Sequence, residues 1–145
     1  MTPPDLQIQK ATEADIPELV PLLVQVTPTS IEEALPAFHR MSQYPDYHVY
    51  LVREEQALIG TFTLLVMDNI GHGGAPIGVV ENVVVDQQRR GQGIGRQMMA
   101  FAAEVSREQG CYKLILSSNV KLQEAHGFYE SLGFIKQGYA FNMEL

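Results

Sequence analysis

Leu6 and Ile8 alternate with Gln7 and Gln9, the two-residue period of a short strand with one covered face. The period then changes. Ile16, Leu19, Val20 and Leu23 follow helical spacing behind Thr12-Glu13-Ala14-Asp15, a capping residue with an acid three positions later. Pro21 lies inside this stretch and predicts a kinked or shortened helix. Val26 to Ser30 holds Pro28 and reads as a loop. Ser30-Ile31-Glu32-Glu33 is a second capping signal and opens a helix reaching about Arg40. Tyr47 to Arg53 and Ala57 to Met67 are β-rich runs separated by Glu54-Glu55-Gln56, which predicts a hairpin. Ile70 to Gly78 carries four glycines and is expected to be a mobile loop.

Val79 to Val85 predicts a central strand, rich in β-branched residues that suit burial on both faces. Ile94, Met98, Phe101, Ala102 and Val105 give a helix with one apolar face, ending at Gly110. Cys111 to Leu116 reads as the next strand, parallel to the central one by the logic of a strand–helix–strand crossover. Leu122, Ala125, Tyr129 and Leu132 space a second helix that ends at Gly133. Phe134-Ile135 and Tyr139 to Leu145 are expected to close the chain as a hairpin. The order is β-α-α-β-β-β-α-β-α-β-β, an α/β chain with a mixed sheet in one domain over residues 1–145.

Bulk properties narrow the functions. The 145 residues suit one core, and 46% hydrophobic with 19% charged residues is ordinary for a globular domain. A net charge of −7 argues against a general nucleic-acid binder and weakly favours a cationic small substrate. Cys111 is the sole cysteine and sits in an apolar run, so it reads as core. No apolar stretch approaches a membrane span, and the first residues lack a signal-peptide pattern. A cytoplasmic setting is the resulting expectation. The four histidines show no zinc-ligand spacing, and no metal is expected.

The sharpest chemical signal runs from Val83 to Arg96: Val83-Val84-Val85-Asp86-Gln87-Gln88-Arg89-Arg90-Gly91-Gln92-Gly93-Ile94-Gly95-Arg96. A buried strand meets a glycine turn and then the first turn of a helix. Unpaired amides and the helix dipole favour an anion there, most naturally a phosphate or pyrophosphate. Arg89, Arg90 and Arg96 surround it, three of ten basic residues. A P-loop needs Lys-Ser/Thr after its last glycine, but Arg96-Gln97 follows Gly95. A dinucleotide fingerprint needs Gly-x-Gly-x-x-Gly and a later acid; the glycines here run Gly-x-Gly-x-Gly, and the next strand ends in Ser117-Ser118-Asn119.

Gln88-Arg89-Arg90-Gly91-Gln92-Gly93 instead resembles the Gln/Arg-x-x-Gly-x-Gly/Ala signature of the GCN5-related N-acetyltransferase superfamily. Ala125-His126-Gly127-Phe128-Tyr129-Glu130-Ser131-Leu132-Gly133-Phe134 resembles that family's Ala-x-x-Phe-Tyr-x-x-x-Gly-Phe segment. The element order matches as well. The resemblance implies the acyl-CoA N-acyltransferase fold and acetyl-CoA as cosubstrate. Its diphosphate would lie on Gln88 to Arg96, including Gln92 and Ile94, and its pantetheine along Val83, Val84 and Val85. Phe128 would pack or form part of the CoA wall. Many members carry Asn where this chain has Leu122, and Asn119 is the alternative pantetheine contact.

Acetyl transfer to an amine needs a base for the ammonium, a donor for the thioester oxygen and a proton for the departing thiolate. Tyr129 is assigned the last task by the resemblance, and its phenol is a donor at neutral pH. Glu81, expected among apolar neighbours that would raise its pKa, is the base, directly or through water. A main-chain N–H near Val83 to Val85 would polarise the carbonyl. His72 and His126 are weaker possibilities at the acceptor. The expected reaction is direct transfer to a primary amine of a small molecule. Protein or peptide acetylation, a non-catalytic acyl-CoA sensor and a dinucleotide-binding fragment are the alternatives. A homodimer through the C-terminal strands is compatible with the pattern.

Overall fold

The computed structural model describes residues 4–145. They form two compact units, one running to Ile115 and the other spanning Leu116–Leu145. The first unit is built on a five-stranded sheet in the order β1-β2-β3-β4-β5. β1 (Leu6–Lys10), β2 (Tyr47–Glu54), β3 (Ala57–Met67) and β4 (Ile77–Val85) pair antiparallel in sequence. β5 (Lys113–Leu116) lies beside β4 at the edge. The Tyr112 N–H donates to the Pro76 carbonyl at 3.1 Å, joining the two strands start to start. That makes the pair parallel, as the connecting helix α3 (Ile94–Glu108) requires.

Adjacent residues of β2 face opposite layers, because side chains alternate along a strand. Leu51 packs with Ile16, Leu19 and Val20 of α1 (Ile16–Leu23), against which Leu35 and Phe38 of α2 (Ile31–Met41) also rest. Tyr50 turns the other way, stacking on Phe62 at 5.1 Å and meeting Phe101 of α3 edge-on at 5.3 Å. α3 presses so closely on the sheet that a Cβ at Gly78 would stand 2.6 Å from Ser106 Oγ. Local signals hold as expected. The Ser30 hydroxyl accepts from the Glu33 N–H at 3.2 Å, and the Thr12 N–H donates to Asp15 at 2.7 Å. Pro21 falls within an α1 of only eight residues.

Two strand boundaries differ. The central strand starts at Ile77 rather than Val79. The last strand of the sheet starts at Lys113 rather than Cys111, because the Cys111 N–H is spent on the Ser106 carbonyl at the end of α3. The glycine-rich loop folds into a tight turn, closed by the Gly74 N–H on Gly71 O at 3.1 Å.

The second unit holds α4 (Gln123–Ser131), ended by Gly133 at φ 98°. The expected final hairpin does not form: residues 132–145 contain no strand. A strand is held by the neighbour it pairs with, and alternation alone does not supply one. Ile135, Tyr139, Phe141 and Met143 are left largely exposed.

Candidate active site

β4 carries a defect at its middle. Thr63 pairs with Glu81 and Thr61 with Val84, so Phe62 faces two residues, Asn82 and Val83, where a regular ladder would offer one. This is a β-bulge, which bends the strand and re-aims its groups. Asn82 sits at φ 51°, the left-handed region that asparagine tolerates better than most residues. Val84 is buried, whereas Val83 and Val85 are half-buried.

Glu81 opens the bulge and is exposed, not enclosed among apolar neighbours as expected. The reason is the bulge itself, which lifts this part of β4 out of the covered layer. Glu81 and Val49 both pair with Thr63, so by alternation Glu81 shares a sheet face with Tyr47. Burial pushes the Tyr47 phenol above its usual value, and the charges of Glu81 and Tyr44 add to the rise. Tyr47 therefore keeps its proton beside this carboxylate, with Tyr44 edge-on at 5.4 Å between ring centres. Tyr47 escapes notice in the sequence because only the register of three strands brings it to Glu81.

Past Val85 the chain makes a single turn over Gln87–Arg89 and then two left-handed residues, Gly91 at φ 80° and Gly93 at φ 81°. A side chain in that region is strained, which is why glycine stands at both places. Gly93 caps α3 without a side-chain acceptor, and its carbonyl takes the Gln97 N–H at 3.2 Å. The amides of Gly91 to Arg96, including Gln92, Ile94 and Gly95, donate to no described residue. A Cβ at Gly91 or Gly93 would meet nothing within 4 Å, so the space over the bend is open. Arg90 and Arg96 are exposed and make no ion pair among the described residues, whereas Arg89 pairs with Glu54. Open amides at a helix start beside two guanidiniums are the kind of groups that can receive an anion.

In the second unit, Tyr129 is half-buried, and burial raises its phenol above the usual value. Its ring packs against Phe128 at 5.3 Å and Phe134 at 5.8 Å. Within this unit its hydroxyl has no hydrogen-bond partner, which leaves it available as a donor. Asn119 makes a turn: its Oδ1 accepts from the Lys121 N–H at 2.9 Å, and its carbonyl accepts from the Leu122 N–H at 2.9 Å. Leu122 is exposed. His126 is held by its ring nitrogen, 2.8 Å from the same Asn119 carbonyl. His72 stacks on Tyr112 with ring centres 4.0 Å apart.

Comparison with known proteins agrees with this architecture. The sequence model of the acetyltransferase (GNAT) family matches residues 17–134. Over 134 residues the chain is 34% identical to glucosamine 6-phosphate N-acetyltransferase of Trypanosoma brucei brucei, covering 90% of this chain and 89% of that protein. It is 32% identical over 101 residues to aminoalkylphosphonate N-acetyltransferase of Salmonella typhimurium, covering 70% of this chain and 65% of that one. The crystal structure of glucosamine-6-phosphate N-acetyltransferase from Arabidopsis thaliana superposes with a TM-score of 0.84 at 26% identity, over 97% of this chain and 98% of that one. The chain belongs to the acetyltransferase (GNAT) family and is an N-acetyltransferase.

Proposed function

We propose that the chain passes an acetyl group from acetyl-CoA directly to the primary amine of a small molecule that also carries a phosphate or phosphonate. The observation that carries this reading is the similarity over 90% of the chain to a glucosamine 6-phosphate N-acetyltransferase. The similarity to an aminoalkylphosphonate enzyme supports the same acceptor class, since glucosamine 6-phosphate and an aminoalkylphosphonate each join an amine to a phosphorus oxyanion. The amide cradle at Gly91 to Arg96 supports the cosubstrate, because an acyl-CoA brings a diphosphate.

The chemistry follows from the groups present. The amine must shed its proton before it attacks, and Glu81 accepts it, through water given its exposure. Amides of the bulged stretch Val83–Val85 polarise the thioester carbonyl as charge develops on its oxygen. The amine nitrogen bonds to the acyl carbon, the carbon–sulfur bond breaks, and the CoA thiolate takes a proton. Tyr129 donates it; burial keeps that phenol protonated across the neutral range.

The test is thiol release. Acetyl-CoA is incubated with glucosamine 6-phosphate, an aminoalkylphosphonate, unphosphorylated glucosamine and a peptide amine, and free CoA is read with DTNB. Release above the amine-free background is expected with the first two and is weaker with the others. Silence with both phosphorus-bearing amines while another acceptor turns over would overturn the acceptor class. Silence with every amine, alongside tight CoA binding, would favour a sensor. Tyr129→Phe is expected to lower kcat by about 10²-fold, the usual scale for losing a proton donor.

A further inference from the structure

Arg89 stands apart from the other arginines of the bend. Its guanidinium pairs with the Glu54 carboxylate, 35 positions earlier, at the end of β2. Both side chains are about two-thirds covered, with exposures of 33% and 29%. Two further ties hold the same short stretch. The Asp86 N–H donates to the Ile59 carbonyl of β3 at 2.8 Å. The Gln87 N–H donates to the Gln25 side chain, just past α1, at 3.3 Å. Asp86 then closes the turn locally, accepting from the Gln88 N–H at 3.0 Å and, by its carbonyl, from the Arg89 N–H at 2.8 Å. The amides of residues 86–89 are thus all committed to the protein, whereas those of residues 91–96 are not.

We infer that Glu54 is a positioning residue for the CoA-binding bend, acting through Arg89. The ion pair anchors the stem formed by residues 86–89, on which the free amides are carried, and it leaves Arg90 and Arg96 as the cations for the diphosphate. Arg89 serves the bend by where it holds the backbone. The inference rests on the assignment of this bend to acetyl-CoA. Two effects of removing Glu54 oppose each other. A released Arg89 adds a positive charge near the anion, which tightens binding but is screened by salt. A loosened stem scatters the amides, which weakens binding at any salt concentration. The ordering effect dominates because many converging donors depend on the stem, while the added charge is a single solvated one.

Calorimetric titration of CoA into the wild type, Glu54→Gln, Arg89→Gln and the double variant tests this. Each single variant is expected to bind about fivefold more weakly, the upper range for a partly exposed pair. The double variant is expected to be no weaker than either single one, as for two residues that act as a unit. The loss persists at high salt, KM for acetyl-CoA rises in step, and kcat stays within about twofold. Glu54→Asp, which keeps the charge, is expected to restore most of the affinity. Unchanged or tighter binding by Glu54→Gln would overturn the inference. So would losses that multiply in the double variant, since Arg89 would then have a role of its own at the phosphate. Should Glu54→Gln fail to fold, Arg89→Gln and Arg89→Lys make the same comparison from the other partner. A wild type that does not bind CoA fails a different test: it removes the assignment of the bend, and the inference with it.

Discussion

β4 is flanked by two glycine-rich loops that differ in nearly everything but composition. The loop before it, residues 70–76, has left-handed residues at His72, Gly73 and Gly74. Its turn feeds straight into a strand, and its His72 stacks on Tyr112. The loop after it has left-handed residues at Gly91 and Gly93 and feeds into a fifteen-residue helix. Tertiary ties to β2, β3 and the end of α1 hold it, and it points a row of unused amides into open space. Glycine content therefore does not make an anion site. A site needs amides that converge at a helix start, cations nearby and a stem that does not move.

The largest expected effect comes from unseating α3. Phe62 is fully buried between Tyr50 and Phe101. Phe62→Ala should cost about 3–5 kcal/mol in urea unfolding, as for other large-to-small changes in a packed core. CoA binding should weaken with it. A loss below about 1 kcal/mol would show that the stack does not seat the helix.

Next is a direct contrast of the two loops. Gly93→Val forces a β-branched residue into the left-handed region, a strain of about 1–2 kcal/mol, and should abolish measurable CoA heat. Gly73→Val imposes a similar strain in the earlier loop and should leave CoA affinity unchanged. Equal losses from both would erase the distinction. Arg96→Ala and Arg90→Ala are expected to weaken CoA binding about tenfold each, as for loss of a charge-assisted hydrogen bond, and the wild-type affinity should fall with salt. Lys113→Ala, at the start of β5, should do neither.

The pH response is smaller. Burial raises the phenols of Tyr47, Tyr50 and Tyr129 above the usual 10.0. Each holds its proton more tightly in the native chain than in the unfolded one. Stability from this source is therefore complete below pH 10.0 and is lost as pH climbs through the raised native values. Urea midpoints should be flat from about pH 8 to 9 and fall at about pH 11; a rising midpoint there would contradict the burial of these rings. The smallest effect is expected from His72→Ala. It removes an exposed stack and should cost no more than about 1 kcal/mol, without touching CoA affinity.

Much of this molecule was legible because its signals are local. Alternation at Leu6–Gln9, the caps at Thr12 and Ser30, and the hairpin about Glu54–Gln56 each concern residues that are neighbours in the chain. The bend at Gly91 and Gly93 was legible for the same reason, since left-handed backbone and a helix start leave a written trace in glycine. The final hairpin misled because Tyr139, Phe141, Met143 and Leu145 alternate well, yet alternation shows only which side of a strand would be covered.

By itself, then, the sequence determined the order of elements as far as α4, the glycine bend ahead of α3 and the family motifs that point to acetyl transfer. Tertiary structure alone decided that β4 bulges at Asn82, that Glu81 is exposed on one face with Tyr47, and that Glu54 holds Arg89. The division has a physical cause. Torsional preferences and hydrogen bonds within a few residues act through the covalent chain. Strand register and an ion pair across 35 positions exist only once packing has brought distant segments together.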